Sequence, residues 1–367
     1  MTVRFRLAAA GLALLVFAPR PANAAYHAEL EATPFVRIIQ DSDGGKLLLQ
    51  RVGNSVNVTE GAGSPFSIAP VEALEVVIAD GSGSGLELAF DDPLAGDLTL
   101  ELGTGDRLVK ISGDSPELGG DLVIHAGAGR QVVSVTASQP LHASGDILLD
   151  GVNAFDSPSV PVEGGGDLRM TTRRESARME LDLFYLDLEG DLVYQGSDDL
   201  DYVELGFGAV EIRGNMTVDL GDGVSSDGYP YYQVVRLRSG MNGSPRVAGR
   251  MSVRGGDVGN PDLVEVESGA DLVRGLRVAL GDGENYATVS GTGGAFQYSG
   301  GDGPDSVTLG LAAPSAKLKL GDGADTLSLV QTLALGALSV DFGRGTDTYE
   351  IEVGTNVPAN AKIKSHP

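Results

Sequence analysis

Near the C-terminus, Asn285, Asp305, Asp325 and Asp347 each close a glycine turn: Gly281-Asp282-Gly283, Gly301-Asp302-Gly303, Gly321-Asp322-Gly323 and Gly343-Arg344-Gly345. The turns start at 281, 301, 321 and 343, so they lie 20, 20 and 22 residues apart. If each turn stacks on the next, these four residues form one column, and Asp282, Asp302 and Asp322 form a second beside it. Carboxylates stacked ~4.8 Å apart repel one another unless something neutralises them. Ca²⁺ takes six to eight oxygens at about 2.3–2.6 Å, and Asp side chains with glycine-turn carbonyls from adjacent coils supply most of them. The expected cofactor is therefore Ca²⁺, with Asn285, Asp302, Asp305, Asp322, Asp325 and Asp347 as its ligands. Asp201 (in SDDLDYVEL) and Asp262 (in NPDLVEV) take the same place in their repeats. In the N-terminal half that place holds Arg107 and Gln131, which cannot form such a site. Gly-Asp-Gly is also sound turn chemistry without a metal, because Asp accepts nearby backbone N–H groups. Both readings stand at this point.

Catalytic chemistry has less to work with. A β-helix lyase or glycosidase acting on an extracellular polysaccharide is the alternative function. It would need two or three carboxylates converging on one outer face, or Ca²⁺ beside an Arg or Lys base. Asp198, Asp199 and Asp201 form the densest acidic knot, with Arg173 and Arg174 one coil earlier. Tyr229, Tyr231 and Tyr232 offer rings that could stack on sugars. Against this, Trp is absent, aromatics are 5% of the chain, and a net charge of −25 repels uronate polymers. The four His residues are scattered at 27, 125, 142 and 366, and His125 alternates with Leu122, Ile124 and Ala126 so that it faces outward. No Gly-x-Ser-x-Gly elbow, HExxH pair or Cys nucleophile occurs, and zinc has no ligand set.

Short strands must position these residues. A phrase of Gly, a small polar residue and alternating apolar positions starts at Gly96, Gly120, Gly145, Gly166, Gly190 and Gly214, intervals of 24, 25, 21, 24 and 24. Later copies begin near Gly249, Arg274, Gly294, Ser315 and Gly336. Leu318, Leu320, Leu327 and Leu329 fall on one side of their strands and Lys317, Lys319, Thr326 and Ser328 on the other, which is strand periodicity. One coil cannot bury its apolar stripe alone, whereas stacked coils bury a continuous core. The expected fold is all-β: a parallel β-solenoid, either a right-handed β-helix or β-roll-like, of about 13 coils of 20–25 residues. An immunoglobulin-like array offers short strands too, but its domains run to ~100 residues and give no such period. Residues 25–44 and 354–367 are expected as caps around a solenoid spanning 45–353. Asp150–Gly165, Gly223–Gln233 and Ser239–Gly249 break the rhythm and read as loops.

Gly300 to Thr308 reads GGDGPDSVT and resembles the GGxGxDxUx nonapeptide of the RTX (haemolysin-type) calcium-binding repeats at every fixed position. The copy at 321–328 keeps GxGxDxL with Leu320 in place of the first Gly. The likeness covers roughly 281–351, and elsewhere only the rhythm persists. It implies a parallel β-roll with Ca²⁺ between turns stacked on one edge. In that family two nonapeptides make one coil, so stacked turns are 18 residues apart; here they are 20 to 22 apart, with one Gly-x-Gly turn per coil. Members of that family typically carry a C-terminal export signal, so toxin or protease activity does not carry over.

The first 24 residues read as a signal peptide: Arg4 and Arg6, an apolar run from Leu7 to Ala18, then Ala22-Asn23-Ala24 as the cleavage site. The expected location is secreted, extracellular or periplasmic. No other apolar run approaches the length of a membrane span. The charge balance, 26 Lys and Arg against 51 Asp and Glu, excludes nucleic acid as a partner, since phosphate neutralisation needs clustered cations. With no Cys there are no disulfides, so stability must come from burial, backbone bonding or bound ions. The expected function is a non-enzymatic structural, adhesion or surface-matrix role, with extracellular polysaccharide or cell-surface components as partners.

Overall fold

Alternating apolar residues punctuated by glycine produce strands, and among the described residues no helix. The computed structural model describes residues 26–32, 35–40, 46–60, 65–78, 85–172, 178–197, 199–222, 232–240, 243–256, 261–330 and 333–366. The expected leader, 1–24, lies outside them. The chain is a parallel β-solenoid of about 11 turns, close to the 13 coils expected. Two compact units divide it, residues 1–171 and 172–367. Among the described residues no helix is long and apolar enough to cross a membrane.

Each full coil carries three short strands, and each strand pairs in parallel with its counterpart in the next coil. In the first unit, the first ladder runs through Phe35–Gln40, Ala73–Ile78, Leu98–Leu102, Leu122–Ala126, Ile147–Asp150 and Leu168–Thr171. The second runs through Leu47–Val52, Leu86–Phe90, Arg107–Ser112, Gln131–Val135 and the start of Ala154–Gly164. The third joins Glu117–Leu118, Leu141–Ala143 and the end of Ala154–Gly164. Antiparallel strands close the N-terminal side: Tyr26–Ala32 pairs with Phe35–Gln40, Leu47–Val52 with Ser55–Glu60, and Ser55–Glu60 with Phe66–Ile68.

The second unit repeats the pattern. Its first ladder runs from Leu192–Gln195 through Met216–Asp219, Met251–Arg254, Leu276–Ala279, Phe296–Ser299, Ala316–Lys319 and Leu338–Arg344 to Lys362–His366. Its second runs from Met179 through Asp201–Leu205, Gln233–Leu237, Asp262, Asn285, Asp305–Leu309 and Thr326–Leu329 to Thr348–Ile351. The third is short and links, among others, Leu186–Leu188, Val210–Ile212 and Arg246–Val247. Three strands per coil, rather than two nonapeptides, explain why stacked turns are 20 or more residues apart.

Register places like on like. Leu98, Leu122, Ile147 and Leu168 succeed one another in the first ladder, and all four are wholly buried. The turns stack as closely as the strands, and that demands glycine. Gly321 has φ +104°, and a Cβ there would lie 1.9 Å from the Gly301 carbonyl oxygen of the coil before; at Gly303, φ +141°, it would lie 2.4 Å from that of Gly283. Any side chain at either place would both strain the backbone and separate the coils.

Candidate functional site

The turn joining the first strand of a coil to the second delivers the residue that opens the second strand. Its side chain shares a face with the apolar positions two and four further on, so it points inward. Pairing confirms the stacking of Asn285 on Asp305 directly. The registers Ser306↔Thr326 and Thr326↔Thr348 put Asp325 and Asp347 next in line. The same column extends back through Asp262 and Gln233 to Asp201 and Met179. In the first unit it holds Arg107, Gln131 and Asn153, the first two as expected from sequence.

Burial of this column is nearly complete. Asn285, Asp325, Asp201 and Asp262 are each 1% exposed and Asp305 is 2% exposed, while Asp347 is half-buried. Several coils reuse one device: the side-chain oxygen of a column residue accepts the backbone N–H of its counterpart in the preceding coil, whereas the N–H groups of Arg107, Gln233 and Asn285 donate to backbone carbonyls. Asp305 N–H donates to Asp325 Oδ1 at 2.9 Å, Asp325 N–H to Asp347 Oδ1 at 3.4 Å, and Asp262 N–H to Asn285 Oδ1 at 3.4 Å. In the first unit Gln131 N–H donates to Asn153 Oδ1 at 2.7 Å. Asn285 satisfies its other end as well, Nδ2 donating to Gly281 O at 2.9 Å and Asp305 Oδ1 at 3.0 Å.

The aspartates differ from Asn285 at the second oxygen. Asp325 Oδ2 and Asp347 Oδ2 are buried without a hydrogen-bond partner, and so is Asp262 Oδ1; the buried Asp305 Oδ2 has none either at hydrogen-bonding distance, though the Tyr298 hydroxyl faces Asp305 closely enough to favour its anion. Glycine makes the seat for the carboxylate. A Cβ on Gly300 would lie 1.6 Å from Asp305 Oδ2, and one on Gly196 or Gly255 would lie 1.8 Å from Oδ2 of Asp201 or Asp262. Burial raises Asp262 and Asp305 to about 7 and Asp325 to about 6. Neighbouring carboxylates add to the rise, Asp325 acting on Asp305 and Asp347 on Asp325. Burial also lifts Asp201, although Ser197 N–H (2.9 Å) and Ser197 Oγ (3.2 Å) both donate to it. Two buried tyrosines face the column, Tyr194 at Asp201 and Tyr298 at Asp305; burial and then the facing carboxylate push both phenols well up.

The second expected row behaves otherwise. Asp282, Asp302 and Asp322 are exposed, and their oxygens cap the next turn: Asp302 N–H donates to Asp282 Oδ1 at 2.7 Å and Arg344 N–H to Asp322 Oδ1 at 3.1 Å. A third row, at the turn leading back to the first ladder, does the same through Asp97, Asp121 and Asp146, where N–H to Oδ1 distances are 2.8–2.9 Å. For the exposed rows, turn chemistry accounts for the aspartate. It does not account for a buried oxygen with no donor.

The residues singled out for catalysis do not assemble. Asp201 turns into the core, and Asp199 caps the Leu200 N–H at 2.8 Å. Asp198, Arg173, Arg174, Tyr229 and Tyr231 lie outside the described residues. Tyr232 packs edge-on against Tyr286, centroids 5.6 Å apart. His125 faces outward beside Asp150, Nδ1 to Oδ2 3.5 Å. Sequence reasoning missed an ion network on the outer face of the second ladder, where Glu204, 6% exposed, receives Arg238 at 2.8 Å and Arg236 at 3.6 Å. Arg236 also meets Glu265 at 2.5 Å, and Arg238 meets Glu267 at 3.4 Å. The only sequence trace of this network is charge on alternate outward positions of coils whose lengths differ.

No protein-family model, curated protein or solved structure matches this chain. Its own geometry therefore carries the functional reading.

Proposed function

We propose that this protein is a secreted, non-enzymatic β-solenoid with a structural or adhesive role outside the cell, whose C-terminal coils are stabilised by a divalent cation, Ca²⁺ first. The observation that carries the proposal is the row of buried Oδ2 atoms on Asp305, Asp325 and Asp347 in consecutive coils, met by no donor at Asp325 and Asp347 and by nothing beyond the facing Tyr298 hydroxyl at Asp305. A carboxylate withdrawn from water is neutralised by a proton or by a cation. Above neutral pH protons are scarce, and a hard cation suits carboxylate and glycine-carbonyl oxygens. Asn285 from the same column and the exposed Asp302 and Asp322 from the same turns are the remaining members of the proposed ligand set. The GGDGPDSVT turn, with its likeness to RTX repeats, supports the same ion. Extracellular polysaccharide or cell-surface components are the proposed partners. A structural role suits an outer face whose charges are tied to one another across coils, and an acidic knot whose innermost member, Asp201, faces the core.

Because the ion would bind folded coils and not the unfolded chain, it should stabilise by mass action. The expected result is a thermal midpoint that rises with millimolar Ca²⁺, falls with chelator and stops responding in an Asp305→Asn/Asp325→Asn variant. A wild-type midpoint indifferent to both Ca²⁺ and chelator at pH 8 would sink the cation. Release of reducing or unsaturated sugar ends from an acidic polysaccharide panel would overturn the non-enzymatic reading.

A further inference from the structure

The outer faces of the second unit carry their charge unevenly. Arg213 meets Asp187 and Glu189, Arg236 and Arg238 meet Glu204, and Arg246 meets Glu211 and Asp271. These cations lie on or beside the second and third ladders, and each is neutralised there. The first ladder is different. Four consecutive strands, Met251–Arg254, Leu276–Ala279, Phe296–Ser299 and Ala316–Lys319, read MSVR, LRVA, FQYS and AKLK, with no acid among them. Their outward positions make two rows along the solenoid: Ser252, Arg277, Gln297 and Lys317, then Arg254, Ala279, Ser299 and Lys319.

Arg250 and Arg274, in the turns that enter the first two of these strands, bring the exposed cations to six: Arg250, Arg254, Arg274, Arg277, Lys317 and Lys319. Among the described residues none of the six forms an ion pair. Acids border the face without neutralising it. Asp219, opposite Arg254 in the strand before, accepts Gly221 N–H at 3.3 Å, and Asp341, opposite Lys319 in the strand after, meets His366 at 3.3 Å. The exposed Asp282, Asp302 and Asp322 follow in the turns that leave the ladder, so the most cationic track runs on the entering side, through Arg250, Arg274, Arg277 and Lys317. A net charge of −25 does not cancel this track, since exposed charges farther apart than about 8 Å are largely screened at physiological salt.

We propose that this face binds an acidic polysaccharide lying along the ladder. The proposal rests on the extracellular role inferred above and names its partner. Guanidinium groups receive carboxylates through paired hydrogen bonds, and Ser252, Gln297 and Ser299 between them suit sugar hydroxyls. Arg277 and Lys317 lie two coils apart, about 10 Å, so acidic sugars of one polymer can reach both. A membrane suits the face less well, because its four strands carry no exposed large hydrophobic residue to enter lipid. On the other ladders the chain supplies the carboxylates itself; here the ligand supplies them.

Biolayer interferometry on immobilised polygalacturonate, in chelator so that no Ca²⁺ bridges acid to acid, tests this. Wild type should bind at low salt and weaken steeply toward about 0.5 M NaCl, and the fully methyl-esterified polymer should not be bound. Arg277→Gln/Lys317→Gln installs the side chain that Gln297 already presents in that row. It should keep wild-type melting and weaken binding about tenfold. Arg213→Gln/Arg246→Gln removes the same charge from ion-paired positions and should bind within about twofold of wild type. Absence of binding at low salt overturns the proposal, as does equal binding of the methyl ester or an equal loss in both double variants. Stronger binding to phosphatidylglycerol vesicles or duplex DNA at the same ionic strength overturns the assignment to polysaccharide. None of the six cations belongs to the proposed Ca²⁺ ligands, so binding can fail while the Ca²⁺ response of melting stands, and the reverse.

Discussion

Replacing Asp305 by Asn separates the two ways a buried carboxyl can be neutralised. The amide has the shape of the acid and a precedent one coil away, since Asn285 Nδ2 already donates to Gly281 O and to the next column oxygen. In the variant, Nδ2 would find Gly301 O and Asp325 Oδ1 in the equivalent places. What changes is charge. Without a cation, Asp305 titrates near 7 in the fold against an ordinary 3.8, because burial disfavours the anion. The folded state therefore holds a proton that the unfolded chain has released, and stability falls as pH rises through that window. The penalty is small near pH 4, grows between about 4 and 7, and is complete above 7. Some 3 pKa units correspond to about 4 kcal/mol, and relaxation around a group near the turn surface reduces this to roughly 2 kcal/mol. For a unit of this size, that is about 4–8 °C in melting temperature. In chelator at pH 8, Asp305→Asn should melt higher than wild type by that amount, and at pH 4 the two should nearly coincide. Saturating Ca²⁺ at pH 8 should reverse the order, since wild type gains the ion and the variant loses a ligand. Differential scanning calorimetry at the two pH values, with and without Ca²⁺, gives all the comparisons. A variant that melts lower than wild type by the same margin at pH 4 and pH 8 would refute the reasoning, for it would make Asp305 a plain hydrogen-bond acceptor.

Other expectations follow from the same geometry. Gly300→Ala puts a methyl 1.6 Å from Asp305 Oδ2 and 2.4 Å from Leu320 O, and should lower stability by about 2–4 kcal/mol in urea titration. Shortening the facing acid, in Gly300→Ala/Asp305→Gly, should recover part of that loss. Glu204→Ala strips the shared acceptor from Arg236 and Arg238 and should cost about 1–3 kcal/mol, read as a lowered urea midpoint. Glu267→Ala, at the exposed end of the network, should cost under about 1 kcal/mol.

The stacking was legible in the sequence because turn spacing and strand alternation agree. Aligning four Gly-x-Gly turns puts Asn285, Asp305, Asp325 and Asp347 in one column, and pairing puts them there too. The column's depth was harder to read. Parity with Val307 and Leu309 already implies an inward Asp305, but a turn aspartate invites a surface reading. Gln233 and Asn153 escaped notice because the segments before them, 223–231 and 150–152, disturb the spacing that defines the column. A pattern that would have found the seat is present: Tyr194-Gln195-Gly196 precedes Asp201 as Tyr298-Ser299-Gly300 precedes Asp305, with Tyr seven and Gly five residues ahead of the acid. The Glu204 network was beyond reach, since Glu204, Arg236 and Glu265 are 32 and 29 residues apart in coils of unequal length, and only register joins them.

Two aspartate rows three residues apart, Asp302 and Asp322 outside and Asp305 and Asp325 inside, share one turn and one hydrogen-bonding habit. Each uses Oδ1 to hold a backbone N–H of the neighbouring coil, and for that task asparagine serves equally, as Asn285 and Asn153 demonstrate in the inner column. Water solvates the second oxygen of an outer aspartate, so nothing distinguishes acid from amide there. In the inner row the second oxygen is buried, and an amide would be the less costly choice wherever only the ladder mattered. The chain nevertheless places acid at 305, 325 and 347 in succession, and seats at least the first in a glycine gap facing a tyrosine. Three consecutive acids, each with a buried second oxygen, where neighbouring coils show that an amide suffices, are what the proposed cation would require of this column.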